Sequence, residues 1–342
     1  MSRGAKVWTA LWTVYIVWGS TYLAIAIVVE TAPPVLAAST RFLAAGAIMA
    51  LVVTRRGGTM RVTRAQLASC ILIGVLLPGA NAVLFYAEQT TQIGIASLII
   101  ASIPLWIVLL RLVLGERIPT AVLLGVGVGF VGVALIAHPG HGATVTGIIL
   151  CVTSSLMWAV GTVSAKRIPM PADAFAATAW EMIAGGLLML PVGLVSAGSS
   201  SPSWHGILAW VYLVSFGSVI GYTAYTWLVH HAPLGLVSTY AYVNPVVAIL
   251  LGILFRNEHL SRREAIGAAI VVRGSPSSCG ASRRRRLSPR RVCASTPVRK
   301  YGSFPASHSP DKRLSPVRWA GAGENGVRSR GRCRTPPRLW CL

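Results

Sequence analysis

Charge is scarce along this chain of 342 residues: Asp, Glu, Lys and Arg together make up 12% of it, and only nine residues are acidic. A soluble domain carries about 25% charged residues, so an ordinary water-exposed surface is excluded for most of the sequence. Cysteine is sparse as well. Of the six, Cys70 and Cys151 fall inside apolar runs and the other four lie near the C-terminus without paired spacing, which leaves neither a disulfide framework nor a zinc motif. No Walker loop and no Ser-His-Asp arrangement can be traced, so the sequence implies no ATP-driven motor, no enzyme and no cofactor.

Apolar residues are abundant, at 54% of the chain, yet the formal net charge is +22. The two facts belong to different segments. Residues 1–272 hold 14 Lys and Arg against 7 Asp and Glu, whereas residues 273–342 hold 17 against 2.

Within the first segment, Val7 to Val29 is uncharged and at ~1.5 Å per residue reaches across a ~30 Å hydrocarbon core. Similar runs follow at about Val35–Val53, Gln66–Tyr86, Ile93–Leu114, Ala121–Ala137, Thr146–Ala165, Ala174–Val195, Ile207–Val229 and Leu234–Phe255, giving nine spans. A cleaved signal peptide would have a shorter apolar core and no such successors. Backbone polar groups cannot stay unpaired in lipid, and the runs lack the alternation of barrel strands, so they predict a helical bundle. Connections expected inside carry Arg3, Lys6, Arg55, Arg56, Arg61, Arg64, Arg111, Arg117, Lys166 and Arg167, against Arg256, Arg262 and Arg263 outside. This asymmetry predicts a cytoplasmic N-terminus.

The apolar region also repeats itself. Trp18 matches Trp158, Gly46 matches Gly186, Met49 matches Met189, Gly94 matches Gly235, Pro104 matches Pro245, Glu116 matches Glu258 and Gly125 matches Gly267, with offsets drifting from 140 to 142. A five-helix unit used twice enters the membrane from opposite sides, an inverted repeat of the kind that lets two halves rock about a midplane site. The expected fold class is an all-α polytopic membrane protein with one repeat in residues 1–140, a second in 141–272 and a truncated or altered tenth helix.

Several segments resemble a known family: Tyr15-Ile16-Val17-Trp18-Gly19-Ser20-Thr21-Tyr22, Arg41-Phe42-Leu43-Ala44-Ala45-Gly46, Leu114-Gly115-Glu116-Arg117, and Ser238 to Val247 with its Tyr-Val-Asn-Pro core. The resemblance is to the EamA family of the drug/metabolite transporter superfamily and covers about residues 7–272. It implies a ten-helix carrier of the bacterial inner membrane that exports metabolites, amino acids or drugs.

Candidate substrate contacts come from polar residues placed inside apolar runs. Arg41 in helix 2 and Glu181 in helix 7 stand at offset 140 with opposite charges. A charge at the centre of a membrane helix costs about 2.5–3.5 kcal/mol on insertion scales and normally faces the bundle interior with a partner. The pair could hold oppositely charged substrate groups, form a fixed ion pair, or reach separate headgroups. Trp18, Thr21, Tyr22, Asn81, Tyr86, Trp158, Tyr222, Tyr225, Tyr240 and Asn244 add flat apolar faces and polar tips suited to amphipathic solutes, although Trp and Tyr also collect at membrane interfaces. Pro104 and Pro245 each remove a backbone donor from a helix. Gly127-x-Gly129-x-x-Gly132 matches a dinucleotide fingerprint in letters only; it lies inside a helix, where Gly125 and Gly129 form a small-residue GxxxG face that predicts close helix packing. His138 and His141 flank a Pro-Gly turn without a third ligand, so no metal is expected. Glu116 and Glu258 read as helix-end caps or loop ion pairs. The expected partners are a small-molecule substrate and membrane lipid; the sequence leaves the oligomeric state open.

From Arg273 the pattern collapses into Arg, Ser and Pro, and Ala265 to Val272 is only ~12 Å of helix against a ~30 Å core. Because the break falls inside a repeat element, a shifted reading frame is the expected cause, and the basic segment is then not a sign of nucleic-acid binding. A disordered tail binding anionic lipid or nucleic acid and a nine-helix carrier are the competing readings. Translation of the coding DNA downstream of codon 272 in the other two frames should restore an apolar segment long enough, about ten residues, to complete the helix; if neither frame does so, the shift is refuted.

Overall fold

The computed structural model describes residues 3–139, 142–197, 201–232, 234–237 and 239–274. His141 and the basic segment beyond Gly274 lie outside them. In chain order the elements are α1 (Arg3–Val29), α2 (Pro34–Arg55), α3 (Arg64–Ala87), α4 (Ile93–Ile100), α5 (Ile103–Val113), α6 (Thr120–Ile136), α7 (Val145–Ala165), α8 (Ala174–Val195), α9 (Trp204–Tyr212), a π-helix (Leu213–Ile220), α10 (Gly221–His231), α11 (Leu234–Val237), α12 (Tyr240–Arg256) and α13 (Arg262–Gly274). Among the described residues there is no sheet, only one isolated antiparallel bridge between Thr91 and Ala143.

Seven segments are long and apolar enough to cross a bilayer: α1, α2, α3, the α4–α5 pair, α7, α8, and the run from α9 through the π-helix into α10. α6 and α12 are apolar but shorter, at 17 residues each, and α13 has 13. The structure refines the spans in three places. The fourth is broken at Ala101-Ser102, and Pro104 sits in the first turn of α5, where its missing N–H removes no helical hydrogen bond. The eighth relaxes into a π-helix for eight residues. The ninth begins with a single turn before α12, and Pro245 lies within α12 rather than at the break. The helix of the tenth position continues two residues past the apolar run, through Arg273 to Gly274.

Local chemistry explains where helices start and stop. Thr63 and Gln66 form a reciprocal capping box at the start of α3, with Gln66 N donating to Thr63 Oγ1 and Thr63 N to Gln66 Oε1, so two otherwise orphaned donors are satisfied. Thr144, Asp173 and Ser203 cap α7, α8 and α9. Two helix ends are built alike. Gly115 follows α5 with φ of 80° and Asn257 follows α12 with φ of 52°, left-handed conformations that reverse the chain at a helix end. In each case a glutamate comes next, and its N–H bonds back to the helix, Glu116 to Arg111 O at 3.0 Å and Glu258 to Gly252 O at 3.1 Å.

α2 packs most extensively on α8, α6 on α13, and α3 on α7 and α8. At the α2–α8 contact a Cβ on Gly46 would lie 2.7 Å from the Ile183 side chain, and one on Gly186 would lie 2.7 Å from Leu43. Small residues let membrane helices approach this closely. Of the expected glycine face of α6, Gly129 abuts Leu105; nearby, Gly132 abuts the α13 backbone at Gly267, and no described residue lies within 4 Å of a Cβ placed on Gly127. The tightest approach of a glycine to another helix's backbone is α3 on α8, where a Cβ at Gly185 would stand 2.5 Å from the Gly74 carbonyl oxygen. Backbone cannot yield as a side-chain tip does, so Gly185→Val should destabilise the folded protein by about 1–3 kcal/mol, read as a lowered thermal midpoint in detergent. An unchanged midpoint would contradict this packing.

Candidate functional site

The polar residues of the apolar runs converge where α1, α2, α3, α7, the π-helix, α10 and α12 meet. Trp18 is the hub. Its ring meets those of Tyr222, Tyr225, Tyr240 and Trp158 at centroid distances of 5.4, 5.1, 5.3 and 6.3 Å, mostly edge to face, an arrangement that aligns ring edges with ring faces. Its Nε1 donates to Gly217 O at 3.1 Å. That carbonyl belongs to the π-helix, a form of helix that appears often at functional sites.

The same π-helix holds the arginine. Arg41 is 3% exposed, its Nε donates to Ser218 Oγ at 3.0 Å, and its guanidinium carbon stands 5.0 Å from the Phe42 ring centre and 5.9 Å from that of Phe85. Its Nη1 is buried without a hydrogen-bond partner, and no ion pair among the described residues includes it. Tyr222 Oη is likewise buried and unpartnered. Both residues face a cavity of about 80 Å³, whose other walls are Trp18, Thr21, Tyr22, Asn81, Ser154, Trp158, Tyr240 and Asn244, with Leu84, Ile100 and Ile103 supplying apolar surface. Asn244, with its amide nitrogen turned toward acceptors, donates to the carbonyls of Tyr240 (3.1 Å) and Tyr15 (3.3 Å) and ties α12 to α1.

Nine of the twelve sequence-derived candidates therefore line one cavity. Three do not. Tyr86 is 37% exposed on the outside of α3. Tyr225 packs on Trp18 and Tyr240 behind the wall. Glu181 is half-buried on α8, and no ion pair among the described residues joins it to Arg41, so of the three readings of the pair the fixed ion pair is the one not found. Arg41 is the eighth residue of α2 and Glu181 the eighth of α8; the two helices pack antiparallel, Gly46 on Ile183 and Leu43 on Gly186, so equal positions along them lie at different levels of the bundle. Sequence reasoning missed Ser218, the π-helix that carries it, Ser154 and the buried Glu88. A hydroxyl inside an apolar run was the available signal for Ser218; the π-helix left none.

The ends of the bundle differ. Where α1 finishes and α4 begins, Glu258 reaches back from the end of α12 and accepts from the backbone N–H groups of Ile93 (2.7 Å) and Gly94 (3.1 Å), capping α4 and stabilising the positive end of its dipole. Arg256 pairs with Glu30 beside it, and Gln92 N donates to Gly142 O at 2.7 Å. At the opposite end Glu116 pairs with Arg111 at 2.6 Å and with Arg167, which together hold its carboxyl below the usual carboxylate range, chiefly through the Arg111 hydrogen bond. That end also contains a recess of about 710 Å³ bordered by Lys6, Thr9, Thr13, Met49, Arg56, Phe175 and Trp227.

The sequence profile of the EamA-like transporter family matches residues 7–138 and again 145–275. The chain is 34% identical over 267 residues to the inner membrane transporter YedA of Escherichia coli, covering 77% of this chain and 87% of that one. It is 27% identical over 284 residues to the transporter YvbV of Bacillus subtilis (80% and 92%) and 28% identical over 266 residues to the protein PecM of Dickeya dadantii (75% and 86%). A crystal structure of a protein with 22% identity superposes with a TM-score of 0.59 over 81% of this chain and 97% of that one, which establishes the shared fold. Apolar helices, a buried polar cavity and a family profile matched twice lead to one conclusion: the chain is a multi-pass membrane transporter of the inner membrane and belongs to the EamA-like transporter family.

Proposed function

We propose that the protein is a secondary transporter that exports small metabolites, amino acids or drugs bearing an anionic group, by alternating access around the Arg41 cavity. The observation that carries this reading is Arg41 itself. A guanidinium has five N–H donors and no acceptor, and here a buried Nη1 at the wall of a cavity has no hydrogen-bond partner among the described residues. A carboxylate or phosphate on the solute supplies the missing acceptor and the missing charge. The surrounding rings of Trp18, Trp158, Tyr222 and Tyr240 accommodate an apolar body, and Tyr222 Oη offers a second donor.

Alternating access is supported by the way the halves pack. In this reading residues 1–140 and 141–272 are inverted five-helix repeats and the N-terminus is cytoplasmic. The Gly46–Ile183 contact has its counterpart in Gly186–Leu43, and the left-handed turn and glutamate that end α5 recur at the end of α12. Symmetric contacts between unequal sequences allow two arrangements of similar energy, the condition for rocking about a midplane site. With the N-terminus inside, the Glu258 cap and the Arg256–Glu30 pair close the outer end, and the 710 Å³ recess opens toward the cytoplasm.

Arg41→Gln should reduce vesicle transport of aromatic carboxylates and acidic amino acids about tenfold or more, the equivalent of one charged hydrogen bond, while membrane abundance stays near the wild-type level. Glu181→Gln, outside the cavity wall, should cost several-fold less. Parallel loss of abundance and transport in Arg41→Gln would make the residue structural. A chain ending after Gly274 should transport as well as the full chain; loss of transport on truncation would tie function to the basic segment.

A further inference from the structure

Glu88 plays no part in the site as described, yet it is the most unusual carboxylate in the bundle. It follows the last residue of α3, one helical turn beyond Leu84 of the cavity wall, and is 7% exposed. Neither carboxylate oxygen has a hydrogen-bond partner of good geometry. The groups that face it are Tyr22 and the Ala26 backbone on α1, Arg41 on α2, Cys151 on α7 and Glu258 beyond α12.

Two of these neighbours decide its charge. Glu258 accepts with both oxygens from backbone N–H groups of α4. A second carboxylate, buried and with no well-formed hydrogen bond, cannot ionise cheaply: burial costs the charged form, and the like charge adds to that cost. Burial first and Glu258 second push the Glu88 carboxyl well above the usual carboxylate range, with Arg41 opposing them only in part.

We propose that Glu88 is a proton-binding site, protonated while the outer ends of α1, α3, α4 and α12 are closed around it and open to the outer compartment only when those ends part. This rests on the alternating-access reading. A proton taken from outside neutralises Glu88, removes its repulsion from the Glu258 cap and favours closure; opening hydrates the carboxyl and lets it release the proton where it came from. The proton is the only species exchanged, and the carboxyl passes between COOH and COO⁻. Proton binding and closure are linked, so each shifts the other by the same factor. Because Arg41 lies within electrostatic reach of Glu88, neutralising Glu88 also leaves the arginine's charge to the solute.

Two measurements on the full chain in phosphatidylethanolamine–phosphatidylglycerol vesicles test this. Infrared spectra at neutral pH should contain a protonated-carboxyl C=O band that is lost in Glu88→Gln and kept in Glu181→Gln. In a chain whose six cysteines are replaced by alanine, Thr91→Cys reports on the outer end, since Thr91 is 5% exposed. Its labelling by an impermeant maleimide from outside, relative to the exposed Gln89→Cys, which cancels the thiol's own titration, should be slow in acid and at least about tenfold faster in alkali. Glu88→Gln should make it slow at every pH, and Glu88→Asp should keep the pH dependence with a moved midpoint. A carboxyl band left unchanged by Glu88→Gln, labelling of Thr91→Cys that ignores pH, or wild-type pH dependence in Glu88→Gln would each overturn the proposal. Neither measurement reads solute flux. pH-controlled exposure without transport of any anion would sink the transporter reading and leave the proton site, whereas transport with pH-independent exposure would do the reverse.

Discussion

The site depends on holding a guanidinium inside a helical bundle without neutralising it. Taking an ion out of water costs several kcal/mol even after relaxation, and among the described residues no carboxylate pairs with Arg41. What stabilises it is partial and neutral: the Ser218 hydroxyl at 3.0 Å and the faces of Phe42 and Phe85. This support exists because the eighth span relaxes into a π-helix, which presents Ser218 to Arg41 and the Gly217 carbonyl to Trp18. The arginine and the aromatic hub are thus positioned by one local distortion.

A bundle with such a centre also needs helices that approach closely and can separate. Glycine contacts between α2 and α8 and between α3 and α8 bring backbones together without interlocking side chains. The polar closures sit at the ends, where Glu258 caps α4 and Glu116 gathers Arg111 and Arg167. These two glutamates occupy equivalent places after equivalent left-handed turns, yet one clasps a helix terminus and the other a pair of arginines. The two ends of the bundle are therefore held by different contacts.

Much of this was legible in the sequence because lipid leaves few options. Long apolar runs must be helices, so α1, α2, α3, α7 and α8 fall within a few residues of expectation, and the polar residues placed inside those runs had to turn inward. Trp18, Arg41, Trp158 and Asn244 were found for that reason. The π-helix was not legible, since its residues keep an ordinary apolar composition and differ only in hydrogen-bond register. The break before α5 was anticipated from Pro104 but placed too late. Glu181 was grouped with Arg41 because sequence offset records symmetry and not membrane depth. Glu88 escaped notice because a glutamate at a helix end is usually solvated, whereas in the folded bundle it is 7% exposed.

The central claim is that the cavity recognises charge on the solute, and the sharpest measurement compares solutes of one shape and two charges. In vesicles containing the wild-type chain, phenylacetate and phenylacetamide differ chiefly in the group that would meet Arg41. Saturable transport of the acid at least about tenfold faster than that of the amide, corrected for passive leak, is the predicted result, since a charged hydrogen bond separates them. Equal transport of both would contradict the account and assign Arg41 to packing alone.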